Sequence, residues 1–295
     1  MAALHSASAF LVAILVAGIA AAPQPAPTAQ APSAPSPAVA GDFVWHDLVT
    51  HNPAAARAFY GALLGWTFAA GEGVDPGYTV IRQADVPIGG IVLMRDAAGT
   101  TGAAQWLSYV AVPDVDRAVA ATTAAGGRVY RGPLNARPDL RVAAVADPQG
   151  AAIGFASRGP HAAVDRTSPP ALHRWLWMDY VARDVPPALD FYEKVVGFGH
   201  GIGDSRPRMT YHLLSTDRPR AGLFATPWPR DTSAWLPYVR VDDPKAMAAR
   251  AVELGGTVLL APRDDIRFGS LAIVVDPGGA AVALQKFPFE KGATP

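Results

Sequence analysis

Cysteine is absent from all 295 residues. Disulfides, thiolate nucleophiles and cysteine-based zinc sites are therefore excluded. Charge is scarce: Asp, Glu, Lys and Arg make up 17% of the chain, and 25 basic residues balance 25 acidic ones. With no basic stripe and no Lys/Arg run, neither nucleic acid nor an anionic membrane surface is an expected partner. Ser108, Ser215, Ser233 and Ser270 stand in no G-x-S-x-G turn, so a serine-nucleophile elbow is missing. Phosphate-binding glycine loops are missing too; Gly71-Glu72-Gly73 runs into Asp75-Pro76 and reads as a turn. What remains is a neutral chain long enough for one large domain or two small ones with a real core.

Residues 1–22 read as a signal peptide. Ala7 to Ala22 is small and apolar, and Gly18-Ile19-Ala20 places small residues at the spacing a signal peptidase reads. The run is shorter than the ~20 apolar residues of a membrane span. Ahead of it stand only the amino terminus and His5, without the usual Lys or Arg. The expectation is a periplasmic or secreted protein; an uncleaved anchor and a cytoplasmic protein with a misplaced start are the alternatives. Residues 23–41 are rich in Ala, Pro, Gln and Ser and carry no charge, which suits an extended linker.

The rest of the chain repeats itself. W-L-S-Y-V-A-V-P-D from Trp106 returns 129 residues later as W-L-P-Y-V-R-V-D-D from Trp235. D-P-Q-G-A-A-I at Asp147 returns at the same offset as D-P-G-G-A-A-V at Asp276. Phe59-Tyr60 and Trp45-x-Asp47 return 132 residues later as Phe191-Tyr192 and Trp177-x-Asp179. A loop between Gly90 and Trp106 absorbs the difference. Two modules follow, 42–157 and 173–288, joined by a connector over 158–172 and followed by a tail over 289–295. Each reads as βαβββ twice over. The first strand (Phe43 to Thr50; Trp175 to Ala182) leads into a helix opening at Pro53 or Pro186 and stopping at Gly65 or Gly197. Asn52 and Asp184 are the expected helix caps.

This combination of strand, D/N-P-x-x-A-x-x-F-Y helix, G-W/F, W-L-x-Y-V-x-V-x-D and D-P-x-G-A resembles the vicinal oxygen chelate superfamily. That superfamily includes glyoxalase I, extradiol dioxygenases and bleomycin-resistance proteins. The tandem module with W-x-D-L-x-T looks most like its glyoxalase-like "hydroxylase" or antigen-type branch. The resemblance covers nearly all of 42–288. It implies an α+β fold of two tandem βαβββ-βαβββ modules, with curved sheets around clefts. It also implies one divalent metal in many members. The ligand positions it implies hold Trp45, Leu107 and Gly154 in the first module and Trp177, Leu236 and Ala283 in the second, none of them a donor. No cofactor is therefore expected, and a divalent metal would need rearranged ligands. His46, Asp47 and His51 stand close together, but alternation along a strand turns His46 away from the face carrying Trp45 and Asp47.

The same alternation gives the cleft-facing set: Trp45, Asp47 and Tyr109 in the first module, Trp177, Asp179 and Tyr238 in the second. Aromatic walls with one carboxylate suit a mostly apolar ligand pocket. The reading is an exported protein, monomer or homodimer, that binds a small aromatic or amphipathic molecule without the family metal. A metal-dependent lyase or dioxygenase with rearranged ligands and a non-catalytic scaffold are the alternatives. Whether the chain catalyses anything, and whether its modules pair within or between chains, stays open from sequence.

Overall fold

The computed structural model describes residues 36–37, 39–71, 77–94, 103–157, 163–164, 169–206, 209–226 and 233–288. The signal, most of the linker, part of the connector and the tail lie outside the described residues. In the first module the elements are β1 (Phe43–Thr50), α1 (Pro53–Leu64), β2 (Thr67–Ala70), β3 (Thr79–Gln83), β4 (Val86–Leu93), β5 (Gln105–Val112), α2 (Val115–Ala124), β6 (Arg128–Arg137), β7 (Leu140–Ala146) and β8 (Ala152–Ser157). In the second they are β9 (Trp175–Ala182), α3 (Val185–Val196), β10 (Gly199–Arg206), β11 (Met209–Ser215), β12 (Pro219–Ala225), β13 (Ala234–Val241), α4 (Pro244–Glu253), β14 (Thr257–Leu260), β15 (Leu271–Val275) and β16 (Ala281–Lys286).

Each module is one curved eight-stranded sheet, in the order β2-β3-β4-β1-β5-β8-β7-β6 and β10-β11-β12-β9-β13-β16-β15-β14. The first strands of the two βαβββ units in a module lie side by side and antiparallel, Asp47 opposite Leu107 and Asp179 opposite Leu236. The helices start and stop where local chemistry dictates. Asn52 accepts from the Ala55 amide to cap α1, which ends on a left-handed Gly65 (φ 65°). Asp184 holds the matching position before α3 but makes no side-chain cap bond. That corrects the sequence expectation. A cap accepts from the second or third helical N–H, and here both positions are Pro186 and Pro187, which have none. Gln149 of the first module binds the Asp184 backbone instead, giving its side-chain N–H to the Asp184 carbonyl and accepting the Asp184 N–H.

The helices lie between the two sheets, and the cores around them are shared. One cluster joins Val110, Val115 and Phe155 of the first module to Tyr180, Phe191 and Tyr192 of the second. A second joins Phe59, Tyr60 and Leu64 to Val239, Ala251 and Val282, and a third, around Tyr211, Leu236, Tyr238, Ile266 and Leu271, lies wholly in the second module. The repeated motifs meet across this interface. Trp106 Nε1 donates to the Tyr60 hydroxyl, and Tyr60 bonds Asp276 of the second module. In the mirror arrangement Trp235 Nε1 donates to the Tyr192 hydroxyl at 2.8 Å, and Tyr192 donates to Asp147 of the first module at 3.0 Å. F-Y, W-L and D-P-x-G are thus parts of one device, used twice. The modules pair within the chain.

His46 lies on this helix-facing side. It is 3% exposed, shares a 2.8 Å hydrogen bond with Ser108, and packs against Trp175 of the second module, the rings tilted by 32° with centroids 4.1 Å apart. The matching pair in the second module is Met178 opposite Pro237. Burial pushes the His46 pKa down from 6.5 to about 3. Because the folded value lies below the unfolded one, the unfolded chain takes the proton first. Stability from this group is complete above pH 6.5 and is lost as pH falls toward 3. Between pH 7 and 4.5 the loss should be about 2–3 kcal/mol. The double variant His46→Met/Ser108→Ala, which copies the apolar chemistry of the second module, should flatten that acid limb. Urea midpoints at the two pH values check this; an unchanged difference would assign the acid sensitivity to other groups.

Candidate functional site

The face of each sheet opposite the helices is concave, so the two cups point away from one another. On the floor of the first, Asp47 is 6% exposed. Its Oδ1 accepts from Trp45 Nε1 at 2.9 Å and from the Tyr78 hydroxyl at 2.7 Å, and Tyr109 bonds it as well. Trp45 Nε1 also points at the Tyr78 oxygen, 2.8 Å away. Burial pushes the Asp47 pKa up, and these three bonds pull it back. The Tyr78 and Tyr109 hydroxyls are pushed up by burial and by the carboxylate beside them.

The second cup repeats the cluster. Asp179 accepts from Trp177 Nε1 at 3.0 Å, from Tyr211 at 2.6 Å and from Tyr238 at 2.6 Å. The two cups differ above their floors. A cavity of about 1570 Å³ opens over Trp45, Asp47, Tyr78, Leu107 and Tyr109, with Arg131 on its rim. In the second cup the segment after β14 turns inward through left-handed Arg267 (φ 46°) and Phe268 (φ 55°). The Arg267 guanidinium lies 5.1 Å above the Tyr238 ring, with Nη2 3.5 Å from Asp179 Oδ2 and Nη1 bonded to Gln285. Asp179 and Tyr238 are both 0% exposed. Two consecutive left-handed residues cost of order 1–3 kcal/mol each, so the buried guanidinium contacts must offset that strain. The corresponding segment of the first module is the extended β6–β7 hairpin, which leaves the cup open.

All six cleft residues named from sequence thus sit on the two cup floors, three in each. Tyr78, Tyr211 and Arg267 were missed, whereas alternation along the last strand does place Gln285 on the cup face. The Tyr78/Tyr211 pair does leave a signal in the repeat, together with Gly90/Gly222. A methyl group at Gly90 would overlap the Tyr78 hydroxyl and crowd Asp47, and one at Gly222 would do the same to Tyr211 and Asp179. Arg240, two residues beyond Tyr238 and so on the same face by alternation, donates to the Phe287 and Pro170 carbonyls at the end of the sheet. His212 neighbours His200, with ring centroids 6.1 Å apart, and lies one residue out of phase with Tyr211. His51 stands exposed at the turn after β1.

The family described as a glyoxalase-like domain matches residues 43–155. CFP32 of Mycobacterium tuberculosis, provisionally named a glyoxylase, is 30% identical over 82% of this chain and 93% of its own length. The chain belongs to the glyoxalase-like family. Within the vicinal oxygen chelate superfamily, its relatives include the anthracycline biosynthesis protein DnrV of Streptomyces peucetius, 29% identical over 81% of this chain and 91% of DnrV. Among solved structures, the Mn(II)-bound glyoxalase of Novosphingobium aromaticivorans superposes with a TM-score of 0.58 at 16% identity, covering 85% of this chain and 83% of that one. A homoprotocatechuate 2,3-dioxygenase variant from Brevibacterium fuscum gives 0.54 at 17% identity, covering 89% and 75%. At those identities the likeness is one of fold. The residues of this glyoxalase-like chain do not fit a metal such as the Mn(II) of the Novosphingobium glyoxalase. Trp45, Leu107 and Gly154 offer no donor, the Tyr109 ring lies over Gly154, and the one floor carboxylate is engaged by Trp45, Tyr78 and Tyr109. Among the described residues no three His, Asp or Glu side chains converge.

Proposed function

We propose that this glyoxalase-like chain is an exported small-molecule-binding protein whose working site is the cup of the first module. Its ligand is an aromatic or amphipathic molecule held without a family-type metal. The observation that carries this reading is the asymmetry of two cups built on one floor: one is filled by Arg267 and the apolar side chains around Ile266, the other holds a cavity of about 1570 Å³. Apolar walls with a few fixed polar groups are what such sites use. Export is supported by the Ala7 to Ala22 run and the linker after it. The mature protein is expected to begin near Ala21, and N-terminal sequencing of material from outside the cytoplasm checks that.

The binding test is a thermal-shift screen of aromatic amphiphiles. A ligand at a hundred times its dissociation constant stabilises by about 2.7 kcal/mol. Gly90→Ala, which crowds the Asp47–Tyr78 bond, should abolish the shift, and Trp177→Ala in the other cup should leave it intact. A shift that follows Trp177 and ignores Gly90 would move the site to the second module.

A further inference from the structure

The filled cup shows what its floor accepts. Arg267 seats a planar cation between a buried carboxylate and the face of a tyrosine ring, the arrangement in which charge attraction and cation–π attraction act together. The first cup keeps the same carboxylate with the same Trp and two Tyr donors, and no cation stands beside Asp47 among the described residues. It has also lost the groups that held the plug. The position of Gln285 is taken by Ala156, and the inward turn is replaced by the β6–β7 hairpin. Gly154 lets the Tyr109 ring lie flat on the sheet, since a Cβ there would overlap the ring; the matching residue under Tyr238 is Ala283. The other side of Tyr109 meets the cavity.

We propose that the first cup takes the cationic head of an amine or guanidine with an apolar or aromatic body, seated between Asp47 and the Tyr109 ring where Arg267 sits in the second cup. This rests on the reading of that cup as the binding site. The cavity is far larger than a head group, and Leu107, Val142 and Ala144 offer an apolar wall for the body. Arg82, Arg131 and Arg137 also border the cavity. Arg131 and Arg137 are exposed. Arg131 acts on the Tyr109 hydroxyl and opposes a cation there, while salt screens exposed charges beyond ~10 Å. A head group on the Tyr109 ring would touch Asp47 directly, whereas Arg131 and Arg137 stand exposed to screening, and the contact with the carboxylate sets the preference at the floor.

Calorimetric titration of the full chain with benzylguanidine, its neutral isostere benzylurea and phenylacetate tests this. The guanidine is expected to bind at least ~10-fold more tightly than the urea, a difference of about 1.4 kcal/mol. Asp47→Asn should bring it down to the urea's level. Tyr109→Leu, which keeps the carboxylate, should weaken the guanidine more than the urea. Equal affinities, or tighter binding of phenylacetate, overturn the head-group assignment while leaving the binding reading intact, provided Gly90→Ala abolishes that binding. Binding by none of the three overturns both. Should Asp47→Asn fail to fold, Arg267→Ala offers the converse: ethylguanidinium should raise its melting temperature and ethylurea should not. Equal effects of the two count against the proposal.

Discussion

Replacing Asp147 with alanine should lower the stability of the whole chain by about 3–5 kcal/mol. The carboxylate is 4% exposed and accepts from four donors: the Gln149 and Ala151 amides of its own turn, and the Tyr180 and Tyr192 hydroxyls of the other module. Alanine leaves all four without an acceptor, in a core shared by both modules. Unfolding should stay a single transition, because the two helix-side cores are each built from both modules. Tyr192→Phe should cost less, and its effect should fall well short of additive with Asp147→Ala, since the two side chains touch. Urea denaturation of the four corners of that cycle measures the coupling. Additive losses would mean that the Asp147–Tyr192 bond contributes nothing to joining the modules. Asp276→Ala should be milder, because Leu48 stands where Tyr180 does and offers no second hydroxyl.

Arg267→Ala should also cost about 3 kcal/mol or more, because alanine keeps the strained left-handed backbone position while losing the guanidinium contacts. The substitution strips the cation from a carboxylate that is 0% exposed and takes the donor from Gln285. Adding Asp179→Asn should recover part of the loss, because the remaining cluster of Trp177, Tyr211 and Tyr238 no longer surrounds an uncompensated charge. The same variant should open a second cup, visible as new accessibility of Trp177 to a neutral fluorescence quencher. A loss below 1 kcal/mol with Trp177 still shielded would show that the guanidinium is packing filler and that other groups close the cup.

Much of the architecture was legible before any coordinate. The offsets of 129 and 132 residues fixed two like modules, and period-two alternation placed Trp45, Asp47 and Tyr109 on one face and His46 on the other. The resemblance to the vicinal oxygen chelate superfamily supplied the fold, and the relatives agree with it. Those inferences work because a strand's side chains must alternate and a helix must end where its backbone groups find partners. Both constraints act over a few residues. The Asp184 expectation failed for an equally local reason: two prolines had removed the amides that a cap needs.

What the sequence could not show was which distant groups meet. F-Y, W-L and D-P-x-G repeat within each module, yet they are read across the module boundary, Tyr192 with Asp147 and Tyr60 with Asp276. A motif states residue type and local shape, and not the partner that burial selects. Nor could sequence separate the cups. Trp45, Asp47 and Tyr109 match Trp177, Asp179 and Tyr238 residue for residue. The open and the filled cup differ because the chain after β14 folds inward, held by the buried Arg267 guanidinium and by the apolar cluster around Leu260 and Ile266 against the cost of two left-handed residues. That balance is a sum over contacts far apart in the chain, so the sequence by itself determined the floor of both cups, and only the tertiary structure decided which one stays open.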